Sequence, residues 1–216
     1  MKYDLVIFDL DGTLLDTVED LRGALNHALT GAGYAPKTRD EMRLIIGGGV
    51  YNHVVKALPA DTDKAVIDNI FEAFKSYYDA HCNVTTKPFP DIPQLLEALK
   101  AAGIKVAVNS NKLDLNSRAL IQAHFGPLVD MAIGDRVGVP RKPAPDSALE
   151  IMAALNAKPK RTLYVGDGDT DLLTAQNAGT DCAWVSWGYR SRSDLAGIPI
   201  PHFFDNAGDL RDFILQ

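Results

Sequence analysis

Short apolar runs alternating with helical stretches constrain this chain more than any other feature of its sequence. Residues 3–8, 104–108, 128–133, 161–165 and 182–185 each have the length and the β-branched or aromatic content of a buried strand. Apolar residues at helical spacing follow at 93–102, 115–124, 145–155, 170–178 and 207–215. Gly103 and Gly179 suit helix ends, and Pro145 suits a first turn. A helix between two strands returns the chain to the same end of the sheet, so the strands run parallel. The expected class is α/β with a parallel sheet.

One stretch breaks the alternation. Thr17 and Asp20 have capping-box spacing and open a helix whose apolar face is Leu21, Leu25, Ala28, Leu29 and Ala32. Helical segments are predicted over 39–46, 50–58 and 63–81, with Gly47-Gly48-Gly49 before the second of them. No strand is convincing there. The expectation is an all-helical cap domain, residues 16–86, inserted into a catalytic core made of 1–15 and 87–216. The 216 residues fit one domain carrying such an insertion, and a chain of this size buries roughly 70% of its unfolded surface.

Composition removes several function classes. The net charge of −6 argues against a nucleic-acid partner, which calls for a basic patch. No apolar run approaches the ~20 residues of a membrane span, so no membrane association is expected. Met1-Lys2-Tyr3-Asp4 lacks signal-peptide shape, and Cys82 and Cys182 are too few for a disulfide framework. A cytoplasmic protein, monomer or homodimer, is expected. The acids are 23 Asp against 5 Glu. Caps and turns account for most of that excess, and ligation of a hard cation could account for some.

Ligands of open parallel sheets bind beyond the carboxyl ends of the strands. Asp9 and Asp11 follow the first run, and Asn109, Ser110, Asn111 and Lys112 follow the second. Arg141 and Lys142 follow the third, and Asp167, Asp169 and Asp171 the fourth. Carboxylates gathered in this way repel unless a cation neutralises them, and oxygen ligands suit Mg²⁺, with Lys142 adding to the effect. Phosphoryl transfer explains the set best. One aspartate attacks phosphorus, a second moves protons, and the lysine, a hydroxyl and backbone amides hold the transferring oxygens. Taken singly the pieces are weaker: Asp9-Leu10-Asp11-Gly12-Thr13 could be only a turn, and Asp167 or Asp169 only an N-cap. By composition an Asp-x-Asp-Gly-Thr pattern is expected about 0.01 times by chance in such a chain, and it stands directly after a strand.

These residues resemble the haloacid dehalogenase superfamily. Its four motifs appear in order as Asp9-Leu10-Asp11-Gly12-Thr13, Ser110-Asn111, Lys142-Pro143-Ala144-Pro145-Asp146 and Gly166-Asp167-Gly168-Asp169-Thr170-Asp171. The resemblance implies a Rossmann-like core with a helical cap between the first and second motifs, and Mg²⁺ as cofactor. It implies Asp9 as nucleophile and Asp11 as general acid/base, with Ser110 and Lys142 completing the catalytic set. The metal ligands it implies are the Asp9 carboxylate, the Asp11 main-chain carbonyl and Asp167, with Asp171 in support.

Within the superfamily the chain looks most like the phosphoglycolate phosphatase branch, through Ile46-Gly47-Gly48-Gly49 with Val54-Val55-Lys56-Ala57-Leu58, and through Ser186-Trp187-Gly188-Tyr189. Asn109 departs from the apolar residue expected before the second motif, and Ser110 stands where threonine is commoner. The substrate expected is a small phosphorylated metabolite, 2-phosphoglycolate first. Ser110, Asn111 and Lys142 are expected to bind its phosphate. Gly48, Arg43 and His53 are cap candidates for the rest, and Tyr51 and Lys56 lie nearby. The alternatives are a phosphosugar mutase of the same superfamily and a non-enzymatic receiver-type switch. A receiver module carries its phosphoacceptor after the third strand and has no cap. A dehalogenase would have no use for Asp11.

Overall fold

The computed structural model describes residues 2–195 and 197–216. The chain opens with β1 (Leu5–Phe8) and a two-residue strand β2 (Leu15–Asp16). Four helices follow, α1 (Val18–Gly31), α2 (Arg39–Ile45), α3 (Val50–Ala57) and α4 (Lys64–His81). β3 (Lys87–Pro88) then pairs antiparallel with β2. The rest alternates: α5 (Ile92–Ala101), β4 (Lys105–Leu113), α6 (Asp114–His124), β5 (Met131–Asp135), α7 (Asp146–Ala154), β6 (Thr162–Gly166), α8 (Asp169–Ala178), β7 (Asp181–Val185), β8 (His202–Phe204) and α9 (Ala207–Leu215).

The main sheet has the order β5-β4-β1-β6-β7-β8, and every pair in it is parallel. Its strands are apolar on both faces because both faces are covered. Val6 and Phe8 pack with Leu95, Leu96 and Leu99 of α5 and Leu210 and Ile214 of α9. Leu5 and Ile7 pack with Ile151 and Met152 of α7 and Leu172 and Ala175 of α8. Each of the larger of these side chains contributes roughly 1.5–3 kcal/mol on leaving water. From β1 the sheet grows one way through β4 and β5 and the other way through β6, β7 and β8. A crevice opens where these directions part, at the carboxyl end of β1, and Asp9 stands there.

Helices α1–α4 form their own apolar cluster, with Leu21, Leu25, Leu29, Met42, Val54, Phe74 and Tyr78 buried together. The cluster lies between the first motif and the second, and Tyr189 from the sheet side is buried in it as well. The fold is the expected α/β class, a parallel Rossmann-like sheet accompanied by a helical layer.

Four local expectations are corrected. Thr17 stands at the N-terminus of α1 but makes no capping bond, because its hydroxyl donates to Asp11 Oδ1 at 2.6 Å. Asp20 turns away from the helix end instead. Its carboxylate accepts the N–H groups of Val84 (2.9 Å), Thr85 (3.0 Å) and Thr86 (2.9 Å) and the hydroxyls of Thr85 (2.6 Å) and Thr86 (2.8 Å). β8 lies outside the expected strands, since Pro199 and Pro201 precede it; three residues at a sheet edge tolerate such neighbours. The second strand runs five residues beyond Val108, with a register shift against β5 between Asn109 and Leu113. Ser110, Asn111 and Lys112 occupy that irregular stretch, where a bulge re-aims side chains beside a site.

Candidate active site

Parallel register brings the first acid to its neighbours. Phe8 pairs with Val108 on one side and Val165 on the other, so Asp9 is level with Asn109 and Gly166. Asp167 stands immediately after β6, and Asp171 lies in the first turn of α8. Carboxylate oxygens of Asp9, Asp167 and Asp171 lie within 4.8 Å of one another. Lys142 bridges two of these acids, with Nζ 2.7 Å from Asp9 Oδ1 and 2.7 Å from Asp171 Oδ1.

The close approach needs glycines. A Cβ on Gly12, which has φ +89°, would lie 2.6 Å from Asp167 Oδ2, and one on Gly166 would lie 2.2 Å from Asp171 Cγ. Asp167 is fixed by the Tyr189 N–H at 2.7 Å and the Thr13 hydroxyl at 3.3 Å. Asp171 accepts the Gly168 N–H at 3.1 Å, so the helix is capped by that contact and not by Asp167 or Asp169.

Electrostatics reflect the crowding. Burial, then the charge of Asp171, pushes the Asp9 carboxyl up to about 7. Burial and then Asp9 push Asp167 up to about 6, and burial raises Asp171. Burial opposes the Lys142 charge, but Asp171 and Asp9 outweigh it and raise that ammonium well above its ordinary value. One lysine therefore leaves the acid cluster short of positive charge.

Asp11 is not part of the cluster, contrary to the expectation that the acids gather together. Its two oxygens are held by Lys112 Nζ at 2.8 and 2.9 Å, and one of them by Thr17. The Lys112 side chain is fully buried, with its ammonium 4.9 Å from the centre of the Tyr78 ring. Sequence reasoning places Lys112 after the second strand and gives it no role. Its signal is the spacing, two residues beyond Ser110 along a strand.

A cleft opens over the acids, and Asp9, Asp11, Ser110, Asn111, Lys142, Gly48 and His53 all line it. Asn111 spends its amide on Lys142, accepting that residue's N–H at 2.9 Å and donating to its carbonyl at 3.1 Å. These two bonds tie its side chain to the Lys142 main chain on the cleft wall. His53 Nε2 accepts the Gly47 N–H at 3.2 Å, and burial pushes its pKa down to about 3, so the ring is neutral. Arg43 does not line the cleft; it donates to the Gly188 carbonyl at 3.1 Å. Tyr51 donates to Asp68 at 2.8 Å and Lys56 to the Ile45 carbonyl at 3.2 Å, so neither reaches the cleft. Arg190 lines it and is missed by sequence reasoning, though it stands one residue beyond the Ser186–Tyr189 motif.

Three clustered carboxylates, two of them bridged by one ammonium, with a fourth carboxylate held apart on a second lysine, make a site suited to phosphoryl transfer on an α/β fold. The sequence profile of the haloacid dehalogenase-like hydrolases matches residues 6–185. A phosphoglycolate phosphatase of Aquifex aeolicus is 37% identical over 186 residues, covering 86% of this chain and 85% of that protein. An N-acetylmuramic acid 6-phosphate phosphatase of Pseudomonas aeruginosa is 32% identical, over 88% and 84% of the two chains. The crystal structure of a Lactobacillus delbrueckii subsp. bulgaricus protein, provisionally assigned as a phosphoglycolate phosphatase, superposes with a TM-score of 0.94 at 33% identity, covering 99% of each chain. The chain belongs to the haloacid dehalogenase-like hydrolases. It is a phosphatase of that family, a phosphoric monoester hydrolase. No helix among the described residues is long and apolar enough to cross a membrane.

Proposed function

We propose that this enzyme hydrolyses a small phosphate ester, 2-phosphoglycolate first among them, through a phosphoaspartate on Asp9. The observation that carries the reading is the separation of two acids: Asp9 sits among acids beside Lys142, and Asp11 sits apart on Lys112. In the first step Asp9 attacks phosphorus, the ester P–O bond breaks, and Asp11 gives its proton to the departing alkoxide. In the second, Asp11 takes a proton from water, and that water displaces Asp9 and releases inorganic phosphate. Lys142 and the Ser110 hydroxyl, both on the cleft wall, hold oxygens of the transferring group.

The acids fit Mg²⁺. Three buried or recessed carboxylates share a single ammonium, and burial, then the charge of a neighbouring carboxylate, raises Asp9 to about 7 and Asp167 to about 6. An all-oxygen set of this kind suits a hard cation. The Asp9 carboxylate, the Asp11 carbonyl, Asp167 and Asp171 would hold it. The ion would supply positive charge to offset that of the transferring phosphoryl group.

Residues 16–86 act in this reading as a cap over the cleft, with 1–15 and 87–216 as the catalytic core; Gly48 and His53 are its contacts with the leaving group. The cytoplasm suits a chain whose two cysteines are both free thiols. The test is phosphate release from a panel that includes 2-phosphoglycolate and N-acetylmuramic acid 6-phosphate, ranked by kcat/KM. A clear preference for a larger ester would replace 2-phosphoglycolate as the substrate. Mass spectrometry of the quenched enzyme checks for phosphate on Asp9.

A further inference from the structure

Gly188, Tyr189 and Arg190 join the helical layer to the acids. Gly188 packs so closely on Asp167 that a Cβ there would lie 2.3 Å from the Asp167 Cβ. The Tyr189 N–H donates to Asp167, and the Tyr189 hydroxyl accepts the Thr17 N–H at 2.7 Å, where α1 begins. Arg190 then reaches across the cleft. Its Nη1 donates to the carbonyl of Arg43 at 2.6 Å, and its Nη2 donates to those of Leu44 (3.5 Å) and Ile46.

Those carbonyls belong to the last turn of α2 and its C-cap. Helix-terminal carbonyls have no partner within the helix, and a cation there also meets the negative end of the dipole. Arg43 stands in that last turn, but its side chain runs the other way, to the Gly188 carbonyl. The two arginines are thus crossed, each gripping main chain on the opposite side. Beyond the C-cap of α2 the chain enters the run Gly47, Gly48 and Gly49, with φ of 118°, 73° and 93°. Three glycines in succession hold no conformation by themselves. Arg190 backs this loop directly, since a Cβ on Gly47 would lie 3.2 Å from its Nη2.

We infer that Arg190 is a positioning residue: it fastens the end of α2 so that the glycine loop 47–49 stays over Asp9, and substrate binding by the helical layer depends on this sheet-borne arginine. The inference rests on the phosphatase reading of the cleft. An arginine suits the task because its planar fork presents donors in a fixed geometry and less freedom is lost per hydrogen bond than with an ammonium.

The test uses the full chain with Mg²⁺, comparing wild type, Arg190→Met and Arg190→Lys. In Arg190→Met, KM for 2-phosphoglycolate is expected to rise by about tenfold or more while kcat stays within about threefold, the signature of lost binding. p-Nitrophenyl phosphate, whose leaving group is foreign to the loop, is expected to change much less. Amide exchange at 46–50 is expected to quicken by about tenfold with that at 162–166 unchanged, as for local opening. Arg190→Lys is expected to fall between wild type and Arg190→Met. Unchanged exchange at 46–50, or equal loss of kcat on both esters, overturns the inference. Should Arg190→Met fail to fold, Arg190→Lys carries the same two readouts. If wild type hydrolyses neither ester, the phosphatase reading fails, and the exchange measurement still decides whether Arg190 holds the loop.

Discussion

Lys112 grips both oxygens of Asp11, at 2.8 and 2.9 Å, while the Thr17 hydroxyl donates to one of them at 2.6 Å. The Asp11 carboxylate is therefore oriented from the second strand and from the start of the helical layer at once. Its carboxylate is kept away from the cluster of Asp9, Asp167 and Asp171. The two acids of the first motif thus stand in different surroundings, as the division of labour proposed for them requires.

Lys112→Met removes this grip. With an alkyl phosphate, kcat is expected to fall by about 10²-fold, the lower end of what a positioned general acid contributes. With p-nitrophenyl phosphate, whose leaving group needs no proton, formation of the phosphoenzyme should fall far less. Burst kinetics with the two esters checks this; equal loss on both would mean Lys112 serves the fold alone.

Asp9→Asn abolishes turnover if Asp9 is the nucleophile. The carboxyl is held at about 7 in the folded chain against an ordinary 3.8, so without metal its charge opposes folding progressively as pH rises between those values. The variant lacks that opposition. Its melting temperature at pH 8 in chelator should equal or exceed that of wild type, measured by calorimetry beside a phosphate-release assay.

Added Mg²⁺ is expected to raise the melting temperature more at pH 8 than at pH 5.5. Protons on Asp9 (about 7) and Asp167 (about 6) compete with the ion below those values. Thermal shifts against Mg²⁺ concentration at both pH values measure it. A larger shift at pH 5.5 would reverse the sign.

His53 gives an opposite pH signature. Burial lowers its pKa to about 3 from 6.5, so the unfolded chain binds a proton that the native ring refuses. Its contribution is complete above 6.5 and is lost as pH falls toward 3. His53→Gln should flatten urea-derived stability between pH 6.5 and 4.5 relative to wild type.

Asp20→Asn tests the fastening of α1 to the returning chain. A carboxylate that accepts three backbone N–H groups and two hydroxyls is replaced by an amide with one acceptor. The cost is expected at ~2–3 kcal/mol, the scale of a charged hydrogen bond lost in a buried place. Urea unfolding measures it, and a loss within about 0.5 kcal/mol, the range of neutral surface changes, would show the bonds to be redundant.

Local order along the chain determined much. Apolar runs such as Leu5–Phe8 specify strands buried on both faces, and parallel connection then obliges their carboxyl ends to share one edge. Asp9, Ser110, Lys142 and Asp167 were for that reason readable from the sequence as neighbours, and each lines the same cleft. Gly12 was readable as a turn, but not as the space that Asp167 fills. Only the tertiary structure decided how partners were shared. Thr17 satisfies Asp11 and not its own helix, Asp20 holds residues 84–86, and Asn111 serves the Lys142 main chain. Arg43 and Arg190 exchange sides, though 147 positions separate them along the chain. Strand and helix periodicity is a property of neighbours in sequence, and so it is written there. A hydrogen-bond partner is chosen among all groups that folding brings within about 3 Å, and residues far apart in the chain compete for it on equal terms.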